Sequence, residues 1–225
     1  MITLKNYEKS AVPFDRPQAL RYFGYGGKEI PKEVETTFDK CVKEALALCS
    51  YRVCFSVFPV KKTADALDLG FTVTESESLL NNLAGCEKAV VFAATVGIEI
   101  DRLITRYQSI SPLAAYAVSA IGAERVESLC DVFCGEIAET YKKEGLTSRP
   151  RFSCGYGDFP IEKQRDFFLA LDCERKIGLT LTSGLLMSPT KSVTALIGLS
   201  KVCANAAQGC ENCGKSDCEF RKQRR

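Results

Sequence analysis

From Ser111-Pro112 to about Glu144 the sequence keeps one apolar stripe at helical spacing. Leu113, Ala117, Ala120, Ile121, Val126, Leu129, Phe133 and Ile137 recur at intervals that place side chains on a common helix face. Ser111 is a favoured N-cap residue, Pro112 suits the first helical position, and Gly145 and Pro150 end the run. A helix this long needs several other elements to cover it.

The rest of the chain supplies short elements of both kinds. Val34, Phe38, Val42, Ala45, Leu46 and Leu48 form a helical stripe through about residue 50. Residues 51–60 are rich in β-branched and aromatic side chains and read as a strand, with 68–74 as its hairpin partner. Residues 75–84 read as a short amphipathic helix, 89–94 (AVVFAA) as a buried-type strand, and 98–107 as a helix. Between the last two, Thr95-Val96-Gly97 either presents backbone N–H groups to an anion or makes a capped turn. Residues 21–28 (RYFGYGGK) read as a ligand loop or as a glycine-punctuated packing arm.

A chain of 225 residues can bury a substantial core as one large or two small domains. Its net charge of +2 suggests no general attraction to nucleic acid or to an anionic membrane. The start, MITLKNYEKS, has no apolar signal region, and no run approaches the ~18 apolar residues of a membrane span. A cytoplasmic protein is expected. There is no histidine, which removes a histidine general base, a Ser-His or Cys-His pair and any histidine metal ligand. Of 12 cysteines, Cys41, Cys49, Cys54, Cys86, Cys130, Cys134 and Cys173 sit in apolar or helical contexts and read as reduced core residues.

Residues 151–199 carry the functional signal. They open with R-x-x-x-G-Y-x-x-x-P, set by Arg151, Gly155, Tyr156 and Pro160. Arg151 offers a planar fork for a carboxylate, Tyr156 a ring and a hydroxyl, and Gly155 a backbone without a Cβ to obstruct close approach. A helical run follows over 161–171. Two β-like pieces come next, 179–182 and 192–199, with a turn-prone Met187-Ser188-Pro189-Thr190 between them. By pattern alone the opening is equally a Gly-rich turn between core elements.

The order of these residues, continued by Leu181, Thr182, Met187, Pro189, Ser192 and Val193, resembles the activation (reactivation) domain of vitamin B12-dependent methionine synthase. The resemblance runs from about residue 120 to 199 and is weak before it. It implies an α+β fold, a twisted antiparallel sheet with helices packed around it, over residues 1–200. It also implies S-adenosylmethionine as ligand, held by Glu127, Arg151, Gly155 and Tyr156. The segment 120–127 is similar to the family's glutamate-bearing helix and aligns that glutamate with Glu127 rather than Glu124. By pattern alone Glu127 is a solvent-facing helix residue.

In that family, electrons from flavodoxin or a ferredoxin-like donor and a methyl group from S-adenosylmethionine restore oxidised cobalamin. The chain has no room for homocysteine, folate or cobalamin modules and, lacking histidine, no Asp-x-His-x-x-Gly corrinoid motif. The resemblance therefore implies a free-standing activation protein serving a cobalamin-binding methionine synthase core on another chain, with no nucleic-acid or membrane partner. The family's acidic residue near the N-terminus and the tyrosine after its last strand have no counterpart.

The tail, 201–225, holds Cys203, Cys210, Cys213 and Cys218 as C-x6-C-x2-C-x4-C. Four thiols so spaced suit an iron–sulfur cluster or structural zinc, or form a redox-labile end. Arg221, Lys222, Arg224 and Arg225 follow as a solvated end or a contact for an acidic redox partner. The rival function class is a Cys-tail redox or scaffold protein of a corrinoid methyltransferase system that does not bind S-adenosylmethionine.

Overall fold

A computed structural model describes residues 1–63 and 66–201. The elements run β1 (Thr3–Tyr7), α1 (Arg16–Tyr22), α2 (Lys32–Leu48), β2 (Tyr51–Pro59), β3 (Lys61–Lys62), β4 (Leu67–Asp68), β5 (Val73–Thr74) and α3 (Glu77–Asn82). They continue with β6 (Cys86–Thr95), α4 (Glu99–Gln108), α5 (Pro112–Lys142), β7 (Thr147–Ser148), α6 (Gln164–Leu171), α7 (Cys173–Ile177), β8 (Thr180–Leu181), β9 (Met187–Ser188) and β10 (Ser192–Ser200). The main sheet has the order β1-β2-β6-β10-β7, and every pairing in it is antiparallel. The α+β fold expected from the sequence is the observed one.

β6 lies at the centre, and its unbroken apolar run has a physical cause. Successive strand residues point to opposite faces, and here both faces are covered. Val90, Phe92 and Ala94 join the core beneath α1, α2, α4 and α5, with Phe38, Ile100, Ile121, Leu129 and Phe133. Val91 and Ala93 join a second core with Leu79 of α3, Phe167 and Leu171 of α6, and Ile177 of α7. The long helix begins as expected, the Ser111 side chain accepting from the Ala114 N–H. Small residues let other elements approach it closely: a Cβ on Gly122 would stand 2.8 Å from Ile100 Cγ2 and 2.9 Å from Lys191 Cγ.

Residues 68–74 are not the partner of β2. Both edges of β2 are taken, by β1 and β6, and β4 and β5 form a separate small sheet with β3. β1 escapes the pattern because TLKNY is a largely exposed edge strand with little apolar signal. Residues 21–28 end α1 and pack: Phe23 is buried against Phe38, Tyr25 and Tyr116. Thr95 ends β6 and Val96-Gly97 link it to α4, with the Gly97 N–H donating to Thr95 Oγ1 and the Val96 carbonyl accepting from the Ser50 N–H. Met187 and Ser188, expected in a turn, form β9 against β8.

A network inside α5 anchors the N-terminal arm. Glu124 and Arg125 are 0% and 1% exposed and form a bidentate pair, with Arg125 Nε donating to Glu124 Oε2 at 2.6 Å and Nη2 to Oε1 at 2.5 Å. Arg125 also donates to the carbonyls of Val12 and Pro13, and Glu124 accepts from the Asp15 N–H and the Ser128 hydroxyl. Every remaining lone pair and proton of a buried pair needs such partners. Among the described residues no helix is long and apolar enough to cross a membrane.

Candidate functional site

The chain after α5 is held to the outer edge of β10. Arg149 N–H donates to the Gly198 carbonyl, and Phe152 exchanges both backbone hydrogen bonds with Leu196. This seats Arg151 beside α5, where its fork closes on two carboxylates one turn apart. Nη2 lies 2.5 Å from Glu127 Oε2, and Nη1 lies 2.6 Å from Asp131 Oδ1. Burial would lower the Arg151 pKa, but neighbouring anions, Glu127 and Asp131 among them, hold it above its ordinary value.

The loop 153–160 then makes a tight turn. Gly155 at φ 85° donates its N–H to the Phe159 carbonyl, and Gly157 at φ 56° passes so close to α3 that a Cβ would stand 2.4 Å from Ser78 Oγ. Asp158 clamps the loop to the start of α3. It accepts from the Ser76 hydroxyl at 2.5 Å, the Glu77 N–H at 2.8 Å and the Ser78 N–H at 3.1 Å. These bonds, the Ser76 hydroxyl first, hold its pKa well below the usual carboxylate range. A depressed carboxylate stabilises the fold fully above its unfolded pKa of about 4, and that contribution drains away as pH falls through the lower folded value. Asp158→Ala is expected to remove this part of the acid sensitivity, read as a flatter fall in melting temperature below about pH 4.

Arg151, Glu127 and Tyr156 line one open cleft of about 170 Å³. Ser153, Cys154, Gln164 and Met187 complete its lining, with Ser192, Val193 and Thr194 from the start of β10. The Ser192 hydroxyl lies 2.8 Å from both Thr95 Oγ1 and the Pro189 carbonyl oxygen. Tyr156 is 58% exposed at the rim, its ring edge-on to Phe152. Gly155 is not among the lining residues; it makes the turn that presents Tyr156. Burial pushes the Cys154 thiol up to about 12, so it is a neutral wall and not a nucleophile. Tyr22 is close enough to α5 that burial, and then the Glu127 carboxylate, raise its phenol above the ordinary range.

Glu124 and Glu127 thus have separate surroundings, one inside the buried network and one at the cleft. Sequence patterns give no sign of Asp131, Asp158, Cys154 or Gln164, because each becomes part of the site only through tertiary packing. A second hollow of about 200 Å³, lined by Glu87, Lys88, Glu144 and Lys201, lies at the far end of β10. It gathers mostly exposed charges and none of the residues singled out above. Among the described residues no group of three or more Cys, Asp or Glu is arranged to hold a metal. Cys203, Cys210, Cys213 and Cys218 lie outside the described residues. The eight cysteines within them are all free thiols.

A five-stranded antiparallel sheet with helices on both faces and an open cleft beside its long helix defines an α+β class that also occurs among solved structures. The crystal structure of the MetH reactivation domain bound to AdoHcy is similar, with a TM-score of 0.61 and 14% identity over 88% of this chain and 78% of that one. At that identity the likeness is one of fold. No family profile and no curated protein matches the sequence.

Proposed function

We propose that this protein binds S-adenosylmethionine and supports reductive methylation of cobalamin carried by a separate methionine synthase core. The observation that carries this reading is the meeting of Arg151, Glu127 and Tyr156 at one cleft, in a fold similar to a domain solved with AdoHcy. Arg151 suits the ligand's carboxylate and Glu127 its ammonium. Tyr156 offers a ring face to the sulfonium.

Enclosed small-molecule pockets usually measure about 300–1,000 Å³. At about 170 Å³ the cleft is too small to enclose a nucleoside ligand. A ligand in it keeps part of its surface outside, as a methyl group destined for another chain's cobalt requires. With that cobalt reduced by an electron from a flavodoxin or ferredoxin-like donor, S-adenosylmethionine would give up its methyl group and leave as S-adenosylhomocysteine. The protein's part is orientation. The test mixes this protein with a cob(II)alamin-loaded core, a reductant and S-adenosylmethionine. Methylcobalamin formation dependent on this protein supports the reading, and its absence in every combination counts against it.

In this reading the tail cysteines Cys203, Cys210, Cys213 and Cys218 hold an iron–sulfur cluster or zinc. Cys213→Ser is expected to remove the metal, seen by visible absorption and metal analysis of anaerobically purified protein, while methyl-donor binding stays at its original strength. Joint loss of both would show that the two are not separable.

A specific observation favours the rival class. The fork of Arg151 is already engaged by Glu127 and Asp131. A scaffold protein that binds no methyl donor would keep such a pair for stability alone. Calorimetric titration with S-adenosylmethionine separates the two: heat that saturates with ligand supports the first, and no heat supports the second.

A further inference from the structure

Gln164 opens α6, lines the cleft and is 4% exposed. Its Nε2 is buried without a hydrogen-bond partner, the one side-chain atom among the described cleft residues in that condition. Buried polar groups in proteins are almost always paired, and an exception calls for a use. The terminal amide torsion is broad and roughly two-fold, so an amide without internal bonds can turn either its nitrogen or its oxygen to a ligand.

The lining residues of the cleft differ in exposure. The charged Arg151 and Glu127 side chains are 21% and 30% exposed. Of the neutral groups, Tyr156 is exposed and Met187 and Val193 are half-buried, while Gln164, Cys154, Ser192 and Thr194 are buried. A zwitterionic amino-acid end belongs with the charged pair. A flat, neutral heterocycle belongs with the neutral groups around Gln164, between soft apolar walls and one unpaired amide. A carboxamide matches the adjacent donor and acceptor on the edge of adenine.

We propose that Gln164 is the residue that reads the base of the cleft's nucleoside ligand, its carboxamide pairing with the 6-amino edge of adenine. This rests on the nucleoside reading given above. It predicts that the cleft discriminates at purine position 6: on the N6/N7 edge a 6-oxo base presents two acceptors, which a carboxamide cannot pair with bidentately in either orientation.

The test titrates S-adenosylhomocysteine and S-inosylhomocysteine into the wild-type protein and into Gln164→Leu and Gln164→Glu. A bidentate amide–base pair is worth about a tenfold to hundredfold preference. Wild type is expected to favour the adenosyl compound by at least about tenfold. Gln164→Leu is expected to bind it about tenfold more weakly and to lose the preference. Its ligand-free melting temperature should be unchanged or higher, because leucine removes an unmet buried donor. A purely structural glutamine would give the opposite, a lower melting temperature with the preference intact. Gln164→Glu keeps the size but has only acceptors, so it should bind the adenosyl compound more weakly through loss of the bond to N7 while still preferring a 6-amino to a 6-oxo base. If wild type binds neither compound, the nucleoside reading fails and this inference with it. If wild type binds but the substitutions leave affinity and preference unchanged, or wild type shows no preference, the inference alone is overturned.

Discussion

Arg151→Ala is expected to abolish measurable binding of S-adenosylmethionine while leaving the protein folded. Truncating one partner of a hydrogen-bonded, partly desolvated charge pair costs about 2–5 kcal/mol, which is a loss of at least about thirtyfold in affinity. The larger figure applies here, because Arg151 is the only cation lining the cleft among the described residues. Without it Glu127 and Asp131 face each other one helical turn apart with nothing between them. Arg151→Lys separates charge from shape. Lysine restores a cation but not a fork able to hold Glu127, Asp131 and a ligand carboxylate together, so it should recover only part of the affinity. Calorimetry at low and moderate salt reads both variants, and circular dichroism confirms the fold. Wild-type affinity in Arg151→Ala would remove the basis of the proposed function.

The largest expected effect on stability lies at a different position. Glu124→Ala should destabilise the protein by about 3–5 kcal/mol, because it strands the Arg125 guanidinium in the core. For a chain of this size that corresponds to a fall in melting temperature on the order of 10 °C. Glu124→Gln, which keeps an acceptor but not the charge, should fall between. Replacing both residues with apolar side chains, Glu124→Met with Arg125→Leu, should recover much of the loss. The double variant would still release Val12 and Pro13, whose carbonyls Arg125 holds. Denaturant melts of the single and double variants check the series. A single variant as stable as wild type would mean that the pair is exposed to water.

The elements that could be read from sequence are those whose period is strong. α5, α2 and the central strand β6 follow from apolar spacing, because each buries a stripe or two whole faces. β1, a polar edge strand, and the pairing of residues 67–74 do not, since strand partners are chosen by what else covers the sheet. The site divides in the same way. Arg151, Tyr156 and Glu127 stand out by residue type and order, and they share a cleft. Gly155 carries the same signal and makes the turn that presents Tyr156. Asp131 and Asp158 are ordinary surface carboxylates in sequence. They acquire roles only because β10 docks the loop against α5 on one side and α3 on the other. Gln164 sits in a helical run where a glutamine would normally face water, and only packing shows it buried.

Glu124 and Glu127 stand three residues apart on the same helix, so about 4.5 Å separates them along its axis. One faces the N-terminal arm and the other the cleft, and a helix turn has no joint between the two. The network that holds residues 12–15 and the fork of Arg151 are therefore seated on adjoining turns of one helix. Trimming the chain ahead of the long helix would not remove a loose end. It would uncover the buried Glu124–Arg125 pair beside the helix turn that carries Glu127.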